Sequence, residues 1–219
     1  MTSDIATIRQ KIVQLRKMDD RQFRVFGAST HWYELYPRLS ERQLRAIERQ
    51  YDISLPEEYR LFLREIGNGG AGPAYGIAPL ERSIADVTPQ FLAHTFPHRA
   101  AWNWEQEPAL ACIDRSSAQG MKYFDDLYCQ NRYVQGALPI NHQGCGYYTL
   151  LVINGPERGM LWSDDRTSEM GISPLGSPNH PKERLGFLAW YEYWLDASIK
   201  SCQRPPFPSW YFGEEMNRS

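Results

Sequence analysis

The sequence predicts a mixed fold in which helices and strands share one domain. Three observations lead there. Apolar residues recur at helical spacing in several separate stretches. The run "GYYTLLVINGPERGMLWSDD" at 146–165 reads as a β-hairpin. The 219 residues are 42% apolar, enough to bury a sizeable core without disulfides or metal.

Taken in order, Ile5, Ile8, Ile12 and Leu15 fall on one helical stripe, so the first stretch is an amphipathic helix. It has no continuous apolar run and no small-residue cleavage site, and is not read as a signal peptide. "FGASTHWYELYPRLS" is an aromatic-rich loop. Ser40 is the N-cap of a second helix through "ERQLRAIERQ", with Leu44 and Ile47 facing inward. "YDISLP" is an extended link. A third helix follows in "LPEEYRLFLREIGNGG", residues 55–70. Pro56 suits its first turn, and Glu57 and Glu58 complement the positive end of its dipole. Tyr59, Phe62, Leu63 and Ile66 form the buried stripe. Gly67 or Asn68 takes the left-handed cap, and Gly69-Gly70 reverse the chain.

"GPAYGIAPL", from Gly72 to Leu80, is predicted as a short strand between turns. Residues 81–110 show helical hints around "ERSIADV" and a Trp-rich patch, "AAWNWEQEP". "ALACID" and "MKYFDDLYC" are predicted as short strands. In the hairpin, Tyr147 to Ile153 is one strand, "NGPERG" the turn, and Met160 to Ser163 the return. Glu183 to Lys200 is a long helix with Leu188, Tyr191, Leu195 and Ile199 on its apolar face and Trp190 and Trp194 beside them. "RPPFPSWYFGEEMNRS" is a surface-hugging tail.

Composition narrows the function classes. Lys and Arg number 24 against 26 Asp and Glu, a formal charge of −2. Such a balance provides no basic face for nucleic acid or a membrane surface. No stretch approaches the roughly 18 consecutive apolar residues of a membrane span. Cys112, Cys129, Cys145 and Cys202 form no C-x-x-C pair and are expected to be reduced thiols packed as small apolar groups. The cytoplasm is the expected location.

Several of these pieces, in order, resemble the SMI1/KNR4 family of the SUKH superfamily: "LPEEYRLFLREIGNGG", "YGIAPL", "LPINHQGCGYYTLLVINGPERGMLWSDDR" and "FLAWYEYWLD". The resemblance covers about residues 40–197 of a single domain over 1–219. The stretch 1–39 is an N-terminal extension, and the Pro-rich tail 203–219 lies outside it. Residues 81–137 match loosely and are where partner-specific variation is expected. The resemblance implies an α+β fold, a mainly antiparallel or mixed central sheet with helices packed around it. It also implies a role. Bacterial members act largely as immunity proteins that bind and neutralise cognate polymorphic toxins, often nucleases, deaminases or ADP-ribosyltransferases. Fungal members regulate cell-wall synthesis and signalling. Neither role needs an active site.

Candidate chemistry in the residues themselves is sparse. His142 and Cys145 stand three apart, and His94 and His98 four apart with Pro97 between, which disfavours a shared helix face for a metal. No Gly-x-Ser-x-Gly elbow occurs, and no Cys stands in a recognisable frame with a base. Gly69-Gly70-Ala71-Gly72 follows a helix, whereas a phosphate loop precedes one. Neither a metal nor a cofactor is expected. Asp125-Asp126 and Asp164-Asp165 are paired carboxylates. The bland reading is solvated loop charge, and the sharper one an acidic surface that engages basic toxin residues. Asp164 and Asp165, expected to be exposed, are the better pair. Trp162, Trp190, Tyr191 and Trp194 are expected in the core, while Trp102 and Trp104, if exposed, would anchor a partner.

The expected function is that of an immunity protein occluding the catalytic domain of a cognate toxin. A regulatory interaction scaffold is the alternative, and a hydrolase the third reading. The oligomeric state is not read from the sequence.

Overall fold

A computed structural model describes residues 4–20, 23–177 and 180–203, with the backbone alone at 180–182. The tail 204–219 lies outside the described residues. Local sequence sets most helix starts. Asp4 accepts from the Ala6 amide to open α1 (Ile5–Met18), which buries Ile8, Ile12 and Leu15. A short helix, α2 (Ala28–His31), lies within the aromatic loop. Ser40 and Gln43 form a reciprocal capping box at the start of α3 (Glu41–Tyr51), leaving Leu44 buried.

Pro56 stands just before α4 (Glu57–Glu65) as its N-cap, one position earlier than predicted, and Tyr59, Phe62 and Leu63 are buried. The end of α4 also differs from expectation. The Ile66 and Gly67 amides both donate to the Phe62 carbonyl. The left-handed positions fall at Gly69 (φ +88°) and Gly70 (φ +100°), and not at Gly67 or Asn68. Asn68 is occupied otherwise: its Oδ1 accepts from the Leu80 amide at 2.9 Å and its Nδ2 donates to Glu81. It thereby caps α5 (Leu80–Ser83). Helices α6 (Pro89–Ala93), α7 (Pro108–Ala111) and α8 (Ala118–Tyr128) follow.

Strands β1 (Ala137–Gly144), β2 (Tyr147–Val152), β3 (Leu161–Asp164) and β4 (Ile172–Pro174) form an antiparallel sheet in the order β1-β2-β3-β4. A second pair joins β5 (Gly176–Ser177) to β6 (His180–Arg184). The last element is α9 (Phe187–Gln203). The α+β class and the antiparallel sheet are as expected.

Period-two alternation divides the sheet between two cores. Leu138, Ile140, Leu151, Ile153 and Leu161 join the buried faces of α1, α3, α4 and α9. Ala137, Leu150, Val152, Trp162 and Ile172 point the other way and meet Phe96, Leu110, Phe124, Tyr128 and Tyr133. Helix α1 packs along α9, where Lys11 reaches Glu192 at 2.8 Å and Asp196 at 2.7 Å. A carboxylate oxygen of Glu58 on α4 accepts from the Leu188 amide in the first turn of α9.

Each outer edge of the sheet is bridged at one point by the chain itself. Ile77 bridges to Asn141 on β1, and the Ala78 amide donates to the Ile140 carbonyl at 2.8 Å. Trp102 and Ile172 on β4 exchange two backbone hydrogen bonds of 2.8 Å. These segments satisfy edge groups that would otherwise template strand addition.

Other predicted elements change identity. The stretch from Gly72 to Leu80 makes single-residue bridges through Ile77 and no extended strand. The first half of "ALACID" is helical in α7, which ends at Ala111, and "MKYFDDLYC" is helical in α8 as far as Tyr128. Phe124 and Tyr128, four apart, satisfy either a strand or a helix. Partly buried Leu127, packed on the same cluster, and the Ser117 hydroxyl accepting from the Gly120 amide favour the helix. Glu183 and Arg184 belong to β6, so the long helix starts at Phe187. Of the four cysteines only Cys202 is buried; Cys112, Cys129 and Cys145 are exposed, against expectation.

A candidate partner-binding trough

The second face of the sheet is incompletely covered. Where α8 ends, an open trough of 730 Å³ crosses it, with Pro139, Leu150 and Asp164 on the floor. One wall carries Arg82 and Ser83 of α5, with Asp86 just beyond, and Val134 lies opposite in the lining. The Ser83 hydroxyl is buried without a hydrogen-bond partner.

The rim is aromatic. Phe26 and Tyr75 have ring centroids 5.5 Å apart, Tyr75 stacks on His142 at 6.0 Å, and His142 meets Tyr148 at 4.9 Å. Phe26 is 67% exposed, Tyr75 42% and Tyr148 37%. The loop bearing Tyr75 is fixed by buried Asn141. Its Nδ2 donates to the Pro73 carbonyl at 2.7 Å and the Gly76 carbonyl at 2.8 Å, and its Oδ1 accepts from Thr149. Glycine is required beneath this loop: a Cβ at Gly70 would sit 2.3 Å from the Glu34 carbonyl oxygen.

A buried ion pair lies at the trough's end. Arg166 donates through Nε and Nη2 to the two Asp164 oxygens, each at 2.7 Å. Its Nη1 donates to the carbonyls of Tyr128 (3.1 Å) and Gln130 (3.0 Å). The guanidinium thus ties the C-terminal end of α8 to the sheet.

The residues singled out from the sequence do not converge. Asp164 is buried and paired, which corrects the expectation of an exposed acid. Asp165 is half-buried and accepts from the Ser163 hydroxyl at 2.8 Å. Burial pushes its carboxyl pKa up. Asp125 and Asp126 are exposed on α8, where Asp126 pairs with Lys122 at 2.6 Å. Trp102 and Trp104 are only partly exposed. The Trp102 ring stacks on Tyr133 at 4.3 Å and on His98 at 5.2 Å. Trp104 lies under the Arg115 guanidinium at 4.1 Å and against Phe124. Of the six, only Asp164 lines the trough. Tyr75, His142 and Tyr148 were missed as site residues, because an exposed tyrosine on a strand or turn has the same sequence signature as a buried one.

The histidines have separate duties. His98 is buried with Nε2 2.8 Å from the Tyr133 carbonyl, and burial lowers its pKa. His31 lines the trough, its pKa also lowered by burial, and its Nδ1 accepts from the Tyr33 amide. Among the described residues no three His, Cys, Asp or Glu side chains gather as a metal site would need, and no helix is long and apolar enough to cross a membrane.

Helices packed on a four-stranded antiparallel sheet are the α+β architecture of an SMI1/KNR4-like protein. The chain belongs to the SMI1 / KNR4 family (SUKH-1), whose model matches residues 38–170, more than half of its length. Members of this family are often immunity proteins. No curated protein and no solved structure matches the chain.

Proposed function

We propose that this protein is a cytoplasmic immunity protein that binds the catalytic domain of a cognate polymorphic toxin and occludes it. The observation that carries this reading is the open trough with its exposed aromatic row, on a chain of a family rich in immunity proteins. Exposed tyrosines beside a desolvated depression are the usual makings of an interface hot spot. Binding alone suffices for protection, so the protein needs no nucleophile, metal or cofactor of its own. Asp125 and Asp126, exposed on α8 and outside the trough lining, steer the approach of the toxin in this reading without holding the complex. Trp102 and Trp104 support the layer behind them, and Asp165 flanks the ion pair.

The experiment sequences the gene immediately upstream and co-expresses this protein with the variable C-terminal domain of a large secreted protein encoded there. Growth is expected to be restored by the intact protein. Full-strength toxicity despite soluble, folded protein would remove the immunity reading and leave a regulatory scaffold in its place.

A further inference from the structure

We propose that the trough receives an extended loop of the partner protein whose tip is uncharged and carries aromatic or aliphatic side chains. This rests on the reading that the partner is a protein. Three observations select that occupant. First, the rim row of Phe26, Tyr75, His142 and Tyr148 contains no carboxylate and no guanidinium. Second, the charges in the lining cancel: Asp164 and Arg166 neutralise each other at 2.7 Å, and Arg82 and Asp86 are of opposite sign. The lining therefore carries no net charge, and a strongly acidic or basic patch on the partner would meet no matching field here. Third, the row runs past the depression, since Phe26 is strongly exposed yet lies outside the lining. A small molecule held in 730 Å³ would leave that ring uncovered, whereas a protein loop crossing the rim covers it.

Strand addition along the outer strands would have to displace Ile77 or Trp102, which bridge to them. Contact therefore falls on the face. The volume lies within the range of about 300–1,000 Å³ that encloses a drug-sized group, the bulk of a few side chains.

The test selects a random-peptide phage library against the immobilised full-length protein and measures the affinity of the enriched peptides. Enriched sequences are expected to be uncharged and rich in aromatic or aliphatic residues. Their affinity should change less than about threefold between roughly 50 mM and 500 mM salt. Tyr75→Ala and Tyr148→Ala should each weaken binding about tenfold or more, and Phe26→Ala measurably. Asp125→Asn, outside the lining, should have no effect. Circular dichroism confirms that each exposed-site variant is folded. Basic or acidic enriched sequences, steep salt dependence, no enrichment, or peptides indifferent to Tyr75→Ala would each overturn the proposal. A loss with Tyr75→Ala but none with Phe26→Ala would confine the contact to the trough and overturn the protein-sized footprint. Rescue of growth together with indifferent peptides would leave the immunity reading standing with the toxin docked elsewhere. Failed rescue with Tyr75-dependent peptides would keep the trough and remove the toxin.

Discussion

Asp164 and Arg166 form the most consequential side-chain pair in the molecule. Both are nearly buried, and the guanidinium bonds to two main-chain carbonyls as well as to the carboxylate. Removing one buried charge strands the other at a cost of about 3–5 kcal/mol. Asp164→Ala should therefore lower the unfolding free energy by about 3 kcal/mol in urea titration. Asp125→Asn, on an exposed helix face, should change it by less than about 0.5 kcal/mol. The histidines set a pH dependence. In the native state burial holds the His98 and His31 pKa values below the ordinary 6.5. The unfolded chain takes up protons first as pH falls through about 6.5, so stability is full above that pH and declines below it. The urea midpoint should drop between about pH 7.5 and about pH 5.5, and His98→Gln should flatten the slope. An unchanged slope would assign the dependence to other groups.

At the scale of elements, α1, α3, α4 and the hairpin were legible because each carries its own signal: a cap, a stripe, or a β-branched run closed by "NGPERG". Helix α8 was not. Its buried Phe124 and Tyr128 fit both periods, and only packing against Trp162 and Trp104 resolves them. Asp164-Asp165 looked like a surface pair because sequence spacing does not show that Arg166, two residues on, folds back onto the first of them. The trough was illegible for a related reason. It joins segments near 30, 75, 82, 140 and 164, and no local pattern announces which tyrosines remain uncovered. The loop after α4 depends on glycine, and Gly70→Ala tests that dependence. It forces a side chain into φ +100° and against the Glu34 carbonyl. Strain of this kind costs about 1–3 kcal/mol, read as a lowered urea midpoint together with weaker peptide binding as Tyr75 shifts.

The whole molecule is a sheet with a core on either side. The strands contribute alternate residues to both cores, so neither layer keeps its packing if the other dissolves. Unfolding followed by tryptophan fluorescence and by far-ultraviolet circular dichroism should give coincident transitions. Separated curves would mean that the two cores, which both hold tryptophans, do not melt together. Trp162→Ala, at a position with no solvent exposure, should cost about 3–5 kcal/mol and loosen the floor of the trough.

One consequence follows from the seating of α1 against α9. The ribosome makes Ile8, Ile12 and Leu15 long before Tyr191 and Leu195, which lie in the same core. Until α9 has been made, the stripe on α1 lacks the surface that covers it and stays open to water and to chaperones. The order of synthesis thus leaves the two ends of this core to meet late, whichever of them is ready first.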